Sequence, residues 1–372
     1  VLRRWSWLGL IGVGGPSAHI ALLRQLCVEK NDWLSSEDFE HATTAVNLLP
    51  GPASTQLALY CAWRVRGRMG ALVGGLGFIT PGLVLIVALA SLFLETHPPL
   101  VIVGASLGAG AAVPAIALRT AHQLGAPSWQ RAKGTGGARP RWLVYALAGA
   151  LATVLVAPLL VVIILLTGLV EVVLSVRSTR SARAFVPFSL AHVGALGGVG
   201  ALAWVAIKVG ALSYGGGFVI VPLMEHDVVT NYHWMSGAQF LNAVALGQLT
   251  PGPVVLTVAV VGYAVRGIAG ALLASAIAFA PSFLFILGGA SHFESLRTNP
   301  KAAAFLRGAG PCVIGSIAGS AILLGSLLGH LWQIPFVLAS LAWLFLVRRG
   351  SVSTLLLAGG AGALTVLALG HP

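Results

Sequence analysis

The sequence predicts an all-α polytopic membrane protein: about 12–13 transmembrane helices in two homologous, antiparallel (inverted) repeats, with helices broken by Gly and Pro. Composition is the first reason. Of 372 residues, 57% are apolar and only 9% are charged, and the mean hydropathy is +0.91. A soluble domain carries about 25% charged residues. This chain cannot cover itself with a water-facing surface, so lipid is its solvent. Internal repetition is the second reason. Pro50-Gly51-Pro52 recurs as Pro251-Gly252-Pro253, and the same shift of 201 lays Gly14-Gly15 on Gly215-Gly216, Trp33 on Trp234 and Phe39 on Phe240. After one deletion the shift is 200, and Arg66-Gly67 falls on Arg266-Gly267, Gly70 on Gly270 and Pro81 on Pro281. Two copies broken at matching places are the pattern of transporters whose substrate meets broken helices at the repeat interface.

A spanning helix needs about 20 mostly apolar residues. Apolar stretches of that kind lie at 5–26, 39–63, 70–94, 99–118, 142–157, 158–176, 185–204, 206–225, 239–264, 269–290, 303–328, 331–347 and 352–370. Pro158 divides the long run 142–176, and the segment Trp204–Lys208 divides the run 185–225. The first stretch begins with Arg3-Arg4 but runs into the repeat, so it reads as mature fold rather than as a signal peptide.

Charge sets the expected orientation. The net charge of +12 follows from Lys and Arg held in cytoplasmic loops. With thirteen spans and a cytoplasmic N-terminus, only Arg24, Lys30, Lys208 and Arg266 of the 22 basic residues lie outside. Removing the span 185–204 weakens that bias, and an odd number of spans between the repeat starts makes the halves antiparallel. The halves are read as residues 1–184, with a basic cytoplasmic loop at 119–141, and residues 185–372. The acidic segment 29–40 is expected outside. No aromatic interleaving accompanies the basic blocks, which argues against nucleic acid. Cys27, Cys61 and Cys312 have no metal-ligand spacing and read as small buried hydrophobes. No metal or cofactor is expected, and no nucleotide-binding motif is present.

The candidate site is the pair of broken helices. Proline in a helix removes a donor and clashes with the preceding turn. A helix restarting after Pro-Gly-Pro offers free N–H groups and a positive dipole end, which suits an anion. The candidate substrate-binding residues are Gly14, Gly15, Asn47, Pro50, Gly51, Pro52 and Ser54 in the first copy. In the second they are Gly215, Gly216, Gly217, Gln248, Thr250, Pro251, Gly252 and Pro253. Thr55, Gln56 and Thr257 complete the polar flanks, and Asn47 aligns with Gln248. Charge inside a membrane is costly, so Arg24, its repeat mate Glu225, and His19 are the charge and coupling candidates. Gly104-Ala105-Ser106-Leu107-Gly108 fits a hydrolase nucleophile pattern, but it sits in an apolar helix without an acid and reads as helix packing. The chain is not expected to be an enzyme.

Four segments together resemble signatures of the chromate ion transporter family in its long, two-domain form. They are Gly14-Gly15-Pro16-Ser17-Ala18-His19, Leu49-Pro50-Gly51-Pro52-Ala53-Ser54, Gly215-Gly216-Gly217-Phe218 and Gly247-Gln248-Leu249-Thr250-Pro251-Gly252-Pro253. The resemblance covers both halves. It implies a multi-pass carrier of the bacterial inner membrane that exports chromate and confers resistance to it. One departure is Asn47, where the family usually has Gln. The expected partners are chromate and the lipid bilayer, with sulfate or another tetrahedral oxyanion as the alternative cargo. The reading allows a homodimer. An anion channel is the alternative mechanism.

Overall fold

The computed structural model of the chain describes residues 1–47, 49, 51–95, 98–132, 138–176, 198–213, 218–290 and 299–371. They form fourteen α-helices and no strand. In chain order these are α1 (Leu2–Ile11), α2 (Pro16–Arg24), α3 (Ser36–Val46), α4 (Ala53–Phe93), α5 (Leu100–Arg131), α6 (Ala138–Leu155) and α7 (Leu160–Val176). The series continues with α8 (Gly198–Leu212), α9 (Ile220–Glu225), α10 (Gly237–Leu249), α11 (Thr257–Gly289), α12 (Pro300–Ser326), α13 (Gln333–Phe345) and α14 (Ser351–Leu369). Six helical segments are long and apolar enough to cross a membrane: α4, α5, the stretch 157–175, α11, α12 and α14. The chain is an all-α, multi-pass membrane protein.

α4 and α11 are not straight rods. Arg66 (φ −144°, ψ 25°) and Gly67 (φ 60°, ψ −152°) leave helical geometry, and Arg266 (φ −149°, ψ 30°) and Gly267 (φ 58°, ψ −147°) repeat the same turn. Residues eight apart in one helix stand about 12 Å apart. Here Gly70 lies against the carbonyl of Ala62, and Gly270 against that of Gly262. Each helix therefore doubles back into two limbs, 53–65 with 68–93 and 257–265 with 268–289. A residue with φ near +60° is cheapest as glycine, which is why both turns carry one. The apolar stretches ending at 63 and 264 are separated from their successors here, as expected.

The first stretch, 5–26, was expected to cross once. It breaks at 12–15 and returns: Arg4 Nη1 donates to Asn31 Oδ1, and the Trp5 and Trp33 rings stack at 6.0 Å. The second, 39–63, behaves alike. Arg64 Nη2 lies 3.3 Å from Asp38 Oδ2, so the start of α3 and the end of the first limb of α4 share one end of the molecule. In the second half, Lys208 of α8 pairs with Asp227 beyond α9, which folds 206–225 back as well. α8 runs unbroken through Trp204–Lys208, so the expected division there is absent, and most of the stretch 185–204 lies outside the described residues. Hydropathy counts apolar length but carries no direction, so two half-length helices read like one crossing. One consequence is a correction: the acidic segment 29–40 sits on the same side as Arg4 and Arg64, not opposite them. The division at Pro158 holds, as a single turn of 3₁₀ helix over Ala157–Leu159 between α6 and α7.

Local geometry recurs at the repeat shift. π-helical turns follow α2 and α9, over Gln25–Glu29 and His226–Asn231. Asp32 (φ 47°) is matched by His233 (φ 51°), and Gly51 (φ 118°) by Gly252 (φ 103°). Ser35 and Ser236 cap α3 and α10. Packing then crosses between the halves: α5 packs on α13 and α14, α12 packs on α6 and α7, and α4 packs on α11. Small residues permit these approaches. Gly104 and Gly108 of α5 lie against Gly362 and Ala358 of α14, and Gly315 and Gly319 of α12 against Ala146 and Ala150 of α6. The hydrolase-like pattern is thus a helix contact. Glu171 on α7 accepts from Arg141 Nε at 2.7 Å and from the Tyr145 hydroxyl at 3.2 Å. The three cysteines are free and buried.

Candidate functional site

The doubled-back segments make hairpins, and the three tips among the described residues are Gly and Pro breaks. At the first tip, Gly14 (φ 110°) and Gly15 (φ 81°) turn the chain into α2, where Pro16 is the first residue. At the second, Gly51 leads into α4 with Pro52 as N-cap. In the other half, Gly252 leads through Pro253 into a 3₁₀ turn, Val254–Leu256, and on into α11. Proline suits these positions because its φ is already helical and the first N–H of a helix has no intrahelical partner. None of these helix starts has a side-chain cap. Their first N–H groups are left facing the tips.

The tips meet. Gly252 N–H donates to the Gly12 carbonyl at 2.9 Å, joining the two halves. The same carbonyl accepts from His19 Nε2 at 2.9 Å. His19 is buried and edge-on to Phe78. Gly82, on the long limb of α4, lies against the Pro251 carbonyl. Across the pseudo-repeat, a Cβ on Gly51 would stand 3.3 Å from Ser282 Oγ and 3.4 Å from the Gly210 carbonyl. Each Pro-Gly-Pro turn is thus held by the long limb of the opposite half.

The residues expected at the site separate under this geometry. Gly14, Gly15, Gly51, Pro52, Ser54, Thr250, Pro251, Gly252 and Pro253 lie at the tips. Ser54 is buried, and Thr250 returns its hydroxyl to the Leu246 carbonyl at 2.8 Å. Gln248 is buried with its Nε2 unpartnered. Its mate Asn47 is exposed, with Nδ2 bonded to the Thr43 carbonyl at 2.8 Å. Pro50 and Gly215, Gly216 and Gly217 lie outside the described residues. Arg24 stands at the base of the first hairpin, 3.2 Å from Glu40 and bonded to Ser36 Oγ at 2.7 Å. Glu225 is buried at the end of α9, and the nearby Lys208–Asp227 pair lies under Trp204, with Lys208 Nζ 5.5 Å from the ring centre. Three site residues escaped the sequence reading: Ser213, Ser275 and Ser282 are buried with unpartnered hydroxyls. Their only sequence signal is the replacement of a repeat-mate glycine by serine, at Gly12, Gly75 and Gly82.

The arrangement suits an anion. Each uncapped helix start carries about half a positive charge, which favours an anion at a tip. Hydroxyls and an amide add donors without adding a fixed charge.

Comparison with known proteins agrees with this chemistry. The chromate transporter family matches residues 1–172 and 200–366. A chromate transport protein of Cupriavidus metallidurans is 29% identical over 97% of this chain and 90% of its own length. Another from Pseudomonas aeruginosa is 30% identical over 87% of this chain and 80% of its own. A probable chromate transport protein of Synechococcus elongatus is 29% identical over 86% and 82%. No solved structure matches the chain. With both halves matched and the broken helices in place, the chain belongs to the chromate transporter family.

Proposed function

We propose that the protein is a secondary carrier that moves chromate out of the cytoplasm across the inner membrane, binding the dianion where the hairpin tips meet. The observation that carries the reading is that broken-helix tips meet the opposite half: Gly252 N–H donates to the Gly12 carbonyl, and Gly51, before the uncapped start of α4, faces Ser282 and Gly210. Relatives named as chromate transport proteins supply the cargo. No Walker motif is present in the sequence, so the proton gradient or membrane potential supplies the energy. His19 is the protonatable group at the first tip, Glu225 is a second, buried at the end of α9, and Arg24 anchors the base of the first hairpin.

We read the two halves, 1–184 and 185–372, as inverted repeats that alternate access. Gly75 lies against the Phe283 ring, with a Cβ there 2.6 Å from Cζ. The mate of Phe283 is Leu83. A two-fold relation that pairs 75 with 283 also pairs 83 with 275, so the long limbs of α4 and α11 run antiparallel. The hairpins also sharpen the charge bias. Arg24 and Lys30 join the side of Arg4, so of the four basic residues expected outside only Lys208 and Arg266 remain there, which favours a cytoplasmic N-terminus.

Everted membrane vesicles containing the protein are expected to accumulate chromate, to lose that accumulation with an uncoupler, and to be inhibited by sulfate. Uptake indifferent to the uncoupler and without saturation would instead make the protein a channel.

A further inference from the structure

Serine and threonine in an apolar helix usually bond to their own backbone. Thr80, Thr250, Thr257, Ser316 and Ser320 all do so here, at 2.6–2.9 Å. Thr55, Ser213, Ser275 and Ser282 do not: each is at most 2% exposed and its hydroxyl has no partner. All four are one-sided with respect to the repeat. Their mates are Leu256, Gly12, Gly75 and Gly82, none of which has a side-chain donor.

Three of these residues, Ser282, Ser213 and Thr55, belong to elements that meet at one tip. Around Gly51, a Cβ would stand 2.6 Å from Gln56 Nε2, 3.3 Å from Ser282 Oγ and 3.4 Å from the Gly210 carbonyl. Ser213 is three residues beyond Gly210, where α8 ends, and Thr55 sits in the uncapped first turn of α4. The surroundings of Gly252 differ. A Cβ there meets the Leu256 side chain at 3.3 Å and the Gly82 backbone at 3.8 Å, and the Gly252 N–H is already taken by the Gly12 carbonyl.

Resting on the carrier reading above, we propose that the oxyanion subsite lies at the first Pro-Gly-Pro tip alone. It is built from the N–H groups at the start of α4 with Thr55, Ser282 and Ser213, and the second tip serves as an apolar latch. The ion is therefore held off the pseudo-two-fold axis and across the two halves, because Ser282 and Ser213 belong to the second half and Thr55 to the first. Ser275 lies two turns from Ser282 on the same face of α11, about 10 Å away. It forms the next rung towards the turn at Arg266.

The test is titration calorimetry of the purified full chain in detergent, with chromate and then sulfate as probes. Ser282→Ala and Thr55→Val are each expected to weaken chromate binding about fivefold, the loss of one hydrogen bond. Together they should weaken it more than either alone. Ser316→Ala, which removes a self-bonded hydroxyl of α12, should leave the affinity unchanged. Without ligand, the melting temperatures of the two tip variants should hold or rise, since each removes an unsatisfied group. Unchanged affinity in both variants, with wild type binding chromate, overturns the one-sided subsite. So does a lowered melting temperature with affinity per folded molecule intact. Wild type that binds neither probe overturns the carrier reading itself.

Discussion

Gly82→Ala is expected to reduce chromate transport per folded molecule at least tenfold while the protein still inserts and purifies. Gly82 faces the Pro251 carbonyl so closely that a Cβ cannot fit unless the backbone moves. Forcing a methyl group into such a contact costs about 1–3 kcal/mol, and here the strain falls on the second tip and its bond to Gly12. Gly360→Ala is the control, because a Cβ there meets nothing within 4 Å. Transport in proteoliposomes, normalised to monodisperse protein, gives the comparison. Equal activity in wild type and Gly82→Ala would mean that the contact of α4 with the second tip has no part in transport.

The second large effect is expected from Gly51→Ala. At φ 118° a residue with a Cβ is strained by about 1–3 kcal/mol. The new methyl also stands 2.6 Å from Gln56 Nε2 and 3.3 Å from Ser282 Oγ. Both displacements reach the helix start that would hold the ion, so apparent chromate affinity should fall more than tenfold. Gly267→Ala separates backbone strain from site damage. It has φ 58° and open space around the Cβ position, so it should lower stability modestly and leave affinity near wild type. Equal loss of affinity in both variants would assign the effect to backbone strain in general.

Much of this was legible in the sequence. The repeat shift located both Pro-Gly-Pro turns and the two Arg-Gly turns, and the length of the run 142–176 located the Pro158 break, because Gly and Pro act on the backbone locally and leave their mark in the residue itself. The direction of the chain after each break was not legible. Residues 5–26 contain enough apolar length for one crossing, and only the contacts of Arg4 with Asn31 and of Trp5 with Trp33 show that they return. The charge count inherited that error and put Asp38 opposite Arg64, its partner in an ion pair. The site was half legible. Gln248 stood out as an amide beside a break, yet its mate Asn47 is exposed and bonded to its own helix. Ser282 did not stand out, because a lone serine in an apolar helix is ordinarily self-satisfied, as Ser316 is.

The central claim is that hairpins enter from opposite faces of the membrane and meet at their Gly and Pro tips. Single cysteines at Ser36, Arg66 and Arg266, introduced after the buried native Cys27, Cys61 and Cys312 are replaced, test it most directly. An impermeant maleimide is applied to right-side-out and to everted vesicles. The account predicts that positions 36 and 66 are labelled from the same face and position 266 from the other. Labelling of 36 and 66 from opposite faces would make residues 39–63 a single crossing, and labelling of 266 from the same face as 66 would make the halves parallel. Either result contradicts the account.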